Sequence, residues 1–218
     1  MATNWPGSRD TFTNPTSGDT LDSPSHAAQH ANINDAVEAM QAHAGLVLVK
    51  PTSATNGTVG TNGAVTIGSG VSSVTVNGAF SSTYDAYKII VFGGAGSTTA
   101  EVRMTLGASS TGYYNGFQDA RYDGVDRATN GQDNAAYWYM GRINTDVLSV
   151  TCELIGPAVA KVTTIRGDFN DTRGLVGSVS TLYSGFHSVA TAYTDFTLTL
   201  STGTMTGGTI RVYGYNNG

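Results

Sequence analysis

The sequence predicts a mainly β protein with one helix near its N-terminus, and three observations carry that prediction. Of 218 residues, 28 are Gly and only 12% are charged, the composition of short strands joined by tight turns. From Ala64 onward, apolar and polar residues alternate between turn signals, which calls for an antiparallel, jelly-roll-like β-sandwich. Residues 22–45 alone carry the start, spacing and stop of a helix.

The elements follow in chain order. Residues 1–21, with Trp5-Pro6-Gly7, Phe12 and Pro15, have neither a helical nor a strand period and are expected to form an extended attachment arm. Trp5 and Phe12 are its apolar anchors where it docks on a partner, and the alternative is an arm folded back on its own stalk. In the helix, Ser23 is the N-cap, Pro24 suits the first helical position and Gly45 fits the left-handed position past the end. His26, His30, Ile33, Val37, Met40 and Ala44 recur at alternating spacings of four and three, the seam of a coiled coil. A helix of about 30 Å with so thin a stripe is marginal alone, so it needs copies of itself or the β domain as a partner. Seam histidines would form axial imidazole rings in a symmetric bundle, and their protonation would loosen it.

Residues 46–63 read as a neck: a short apolar run, Leu46 to Val49, closed by Lys50-Pro51 and followed by a Thr/Ser/Asn/Gly linker. The β domain occupies 64–218. About ten strands are expected there, near 64–67, 71–80, 86–93, 100–107, 135–143, 147–155, 161–169, 174–183, 189–200 and 208–215. Tyr87 to Phe92 is apolar on both faces, so it is a central strand or lies under a subunit contact. Residues 108–134 break the rhythm and read as a long loop or excursion.

Composition and motifs exclude several chemistries. A net charge of −5, with only 11 Lys and Arg scattered along the chain, argues against nucleic acid as a partner. Cys152 is the single cysteine and sits at an inward position of an alternating strand, as a small buried hydrophobe. No apolar run approaches a membrane span and no secretory leader opens the chain, so a soluble chain without membrane insertion is expected. Asp119, Asp123, Asp126, Asp133, Asp168, Asp171 and Asp195 show no spacing that marks a catalytic pair. The run Asp119 to Asp126 lacks the spacing of a calcium loop, and His187 has no metal-spaced partner and reads as a surface or interface residue. Neither catalytic residues, a metal nor a cofactor is expected.

The aromatic sets give the binding signal. Tyr113, Tyr114, Tyr122 and Trp138 would stack on sugar rings while Asn115, Asp119 and Asp123 bond hydroxyls. The competing reading places Tyr137 and Tyr139 in the core and Trp138 at a subunit contact.

Four stretches, in order, resemble tail-fibre and receptor-binding (minor tail) proteins of tailed bacteriophages. They are His26 to Ala39, Phe80 to Val91, Thr111-Gly112-Tyr113-Tyr114 and Gly207 to Tyr215. The resemblance implies a trimeric coiled coil and a homotrimer held to other virion proteins by its N-terminal arm. It also implies a location on the virion exterior, tail or capsid, and a β head that meets a bacterial surface glycan or protein. No binding site is carried over residue by residue. A capsid decoration protein or head fibre is the alternative, and a capsule depolymerase a distant third.

Overall fold

The computed structural model describes residues 20, 26–42, 45–124, 127–171 and 179–216. The expected docking residues Trp5 and Phe12, the N-cap Ser23, the last seam position Ala44, and Asp126 lie outside them. The chain divides into two compact units, residues 1–47 with 216–218, and residues 48–215.

In the first unit, α1 runs His26–Ala42. Ile33, Val37 and Met40 fall on one stripe of it and are 54%, 41% and 57% exposed.

The strands in chain order are β1 (Leu46–Leu48), β2 (Ser53–Thr55), β3 (Gly57–Val59), β4 (Val65–Ile67), β5 (Ser73–Asn77) and β6 (Ala86–Phe92). Next come β7 (Ala95–Gly96), β8 (Ala100–Leu106), β9 (Tyr113–Arg121), β10 (Arg127–Ala135), β11 (Trp138–Ile143) and β12 (Ser149–Ile155). Last are β13 (Thr163–Asp171), β14 (Val179–His187), β15 (Phe196–Leu200), β16 (Met205–Thr206) and β17 (Thr209–Tyr215). The larger sheet has the order β10-β9-β14-β13-β12-β6-β17-β4-β3 and the smaller one β11-β8-β15-β5-β2, all pairings antiparallel.

Alternation explains why the two sheets stack, an arrangement consistent with a β-sandwich. Val74 and Val76, Val102, Met104 and Leu106, Phe196 and Leu198, and Ile210 and Val212 are all buried on the inner faces, as their spacing predicts. Each such side chain contributes about 1.5–3 kcal/mol by leaving water. β6 is central, hydrogen-bonded to β12 on one side and β17 on the other. On β11 the register shifts between Tyr139 and Gly141, and Gly141 takes φ 129°. A Cβ there would stand 2.6 Å from the Phe169 ring of β13, so its absence lets the two sheets close on each other.

Three expectations are corrected. The excursion at 108–134 is largely an antiparallel hairpin, β9 to β10, with a register shift between Gln132 and Ala135, and its β9 also pairs with β14. Polar side chains on a strand that has partners on both sides hid it from a hydrophobicity reading. The linker at 46–63 contains β2 and β3, which belong to different sheets because Asn56, at φ 59°, turns the chain between them. The strand expected at 174–183 continues to His187, and the one expected from 189 begins at Phe196.

Candidate functional site

Register places the outward side chains of the larger sheet in transverse rows. One row reads Gly131 (β10), Gly116 (β9), Ser184 (β14), Arg166 (β13), Glu153 (β12) and Lys88 (β6). Its first three positions carry almost no side chain, which leaves a trough across β10, β9 and β14. The row on one side supplies a bank of Thr129, Gln118 and Leu182, and the row on the other supplies Tyr114 and Phe186. Rows lie about 7 Å apart and strands about 4.8 Å apart. The bank backbones are therefore about 13 Å apart and the floor is about 10 Å long.

The depression beside this floor, lined by Gly116, Gln118, Thr129, Leu182 and Ser184, measures about 510 Å³. A second, of about 410 Å³, adjoins it across Ser184 and is lined by Phe186, Ile155, Thr164 and Arg166. The rings of Tyr114 and Phe186 stack with centroids 4.6 Å apart and planes 9° from parallel. Phe186 is 40% and Leu182 64% exposed, so both banks present apolar surface to solvent.

Charge is confined to the inner end of the row. Arg166 donates to Glu153 at 2.6 Å, and the Tyr215 hydroxyl donates to the other carboxylate oxygen. The Tyr215 hydrogen bond, and behind it Arg166, hold the Glu153 carboxyl below the usual range, and the same bond pushes the Tyr215 hydroxyl up. On β10, β9 and β14 the floor and both banks are uncharged, Ser, Thr, Gln, Gly, Leu and two aromatic rings, while Asp168 of β13 continues the Leu182 row.

The structure scatters the residues expected to bind a ligand. Tyr113 and Trp138 are fully buried, edge-on to each other at 5.1 Å, and Asn115 is buried with its amide donating to the Tyr139 carbonyl. These three face the core and offer no platform, because the parity of β9 and β11 turns them inward. Trp138 does not sit at an outer contact; Tyr137 lies instead under the Arg103 guanidinium, 4.2 Å from its ring centre. Asp119 accepts from Thr181 on the inner side of β9, and Asp123 pairs with Arg121 at 2.6 Å. Tyr122, at the hairpin end, donates to Asn170 at 2.7 Å. Of these residues, Tyr114 alone lies on an outward row beside the trough, stacked on Phe186.

His187, expected at the surface or an interface, is also buried. It lies among Tyr113, Trp138 and Tyr193, and its Nε2 is 2.8 Å from the Ser109 hydroxyl and 3.1 Å from the Thr111 carbonyl. Burial pushes its pKa down, against a smaller upward pull from the Thr111 and Val189 carbonyls.

Gly116, Gly131, Leu182, Ser184 and Phe186 escaped the sequence reading. The signal was present: Tyr113, Asn115, Phe117 and Asp119 alternate with the outward positions, but a strand of such polarity reads as loop until its partners are known.

Among the described residues, no group of three or more His, Cys, Asp or Glu is placed to hold a metal, and no helix is long and apolar enough to cross a membrane. Comparison with protein families, curated proteins and solved structures finds no match.

Proposed function

We propose that the chain is a structural virion protein of a tailed bacteriophage: a homotrimeric fibre or tail-tip protein that adheres to the bacterial surface. The exposed stripe of Ile33, Val37 and Met40 is the observation that carries this reading. A helix of 17 residues is marginal in water by itself, and a stripe at heptad spacing is buried most simply by copies of itself in a trimeric coiled coil. The resemblance of the His26 to Ala39 segment to a histidine-rich segment near the N-terminus of phage tail-fibre proteins supports the same assembly.

In this reading the arm at 1–21 docks on other virion proteins and the stacked sheets act as a jelly-roll-like head. Three weak sites on one head raise the local concentration enough for millimolar contacts to hold a particle, and no bond is made or broken. Sedimentation of the full chain tests the assembly. A species of three times 22.6 kDa is expected, reduced to one by Ile33→Lys with Met40→Lys. A wild-type chain that sediments at 22.6 kDa overturns the trimer.

A further inference from the structure

We infer that the trough over Ser184, Gly116 and Gly131 is a ligand groove and that it takes a neutral saccharide chain laid across the strands. The ligand class rests on the adhesive reading above; the groove itself rests on geometry.

Neither floor glycine is required by close packing. A Cβ on Gly116 would meet nothing nearer than the Asn130 carbonyl at 3.9 Å, and one on Gly131 would meet the Asn115 carbonyl at 3.4 Å, ordinary contacts. Neither has a positive φ. Two other glycines in strands of this sheet differ sharply. A Cβ at Gly167 would stand 2.2 Å from the Thr151 carbonyl, and one at Gly185 2.0 Å from the Tyr114 carbonyl. Those two are dictated by packing. Gly116 and Gly131 weaken their strands and leave the outer surface bare, which is the signature of a close-approaching ligand.

The lining selects the class. Ser184, Gln118 and Thr129 offer hydroxyl and amide groups in both donor and acceptor roles, matching sugar hydroxyls. Tyr114 with Phe186 and, opposite, Leu182 offer apolar surface for the C–H patches of a pyranose. Among the described side chains the nearest cation, Arg166, is paired with Glu153, so an anionic ligand finds no counter-charge on the floor. An extended peptide finds no ladder either, because backbone hydrogen bonds lie in the plane of the sheet and the trough runs across it.

Saturation-transfer NMR on the full chain, with maltotetraose and N-acetylchitotetraose as probes at millimolar concentration, tests the assignment. Saturation of sugar C–H protons is expected with at least one probe. Gly116→Leu, which fills the floor, and Thr129→Trp, which fills the same space from the edge strand, are each expected to weaken it about tenfold or more. Thermal melts within a few degrees of wild type confirm that a variant is folded, and either variant suffices. No transfer to either sugar overturns the inference. So does transfer that survives a folded filling variant, or transfer to a neutral Gly-Ser-Asn-Thr peptide in place of the sugars. A trimer with a silent trough retains the fibre reading and loses this one; a monomer that binds sugars in the trough does the reverse.

Discussion

Replacing Trp138 by alanine separates a core indole from a binding platform. The ring is fully buried, packs edge-on against Tyr113, and its N–H donates to the Phe186 carbonyl at 3.2 Å. Truncating a buried Trp costs about 3–5 kcal/mol in lost transfer energy and cavity. Stranding the Phe186 carbonyl adds about 1 kcal/mol. Taking about 5 kcal/mol in all and a urea m-value of about 3 kcal/mol/M, the midpoint falls by between about 1 and 2 M. Far-UV circular dichroism is the suitable probe, since Trp5 is the only other tryptophan and fluorescence would lose its reporter. Trp138→Phe retains most of the apolar contact, so it loses only about 1–2 kcal/mol. A midpoint unchanged by Trp138→Ala would refute the placement of this ring between the sheets.

His187 makes stability depend on pH. Its folded pKa lies below the ordinary value of about 6.5, so between the two values the unfolded chain holds more protons and stability rises with pH. Stability of the β unit is therefore full above about pH 6.5 and falls as pH drops toward the folded pKa, by no more than about 1.4 kcal/mol per unit. His187→Gln should flatten this slope in melts between pH 5 and 7.5. Gly116→Ala should leave the melting temperature unchanged or raise it through about 0.5–1 kcal/mol of backbone entropy. Gly185→Ala should lose about 3 kcal/mol by forcing β14 off β9, and equal melting of the two variants would contradict the close approach of these strands. Burial pushes the Cys152 thiol up to about 12, so a disulfide reagent at pH 8 should label it only in urea.

The inward alternations at Val74 to Val76, Val102 to Leu106, Phe196 to Leu200 and Ile210 to Val212 were legible because one dry and one wet face leave a period of two in the sequence. The burial of Cys152 was legible for the same reason. β2 and β3 were not, since three-residue strands of Ser, Ala, Gly and Thr with a single Val form only where other strands already offer an edge. The hairpin β9 to β10 failed for a related reason: Asn115 and Asp119 occupy inward positions, so polarity no longer reports facing. The candidate groove was least legible of all. Its floor is defined by side chains that are missing, at positions 116 and 131, and only cross-strand register brings them beside Ser184.

The corner at Asn56 bears on how the β unit carries load. Val49 donates to Val212 in the larger sheet, Thr52 to Asn77 beside the smaller one, and the chain then pairs with β5 before Asn56 and with β4 after it. Tension entering at residue 48 thus meets an edge strand of each sheet within a dozen residues of chain. A pull on the chain there would have to undo ladders belonging to two different sheets, one after the other, before the β unit opened from this end.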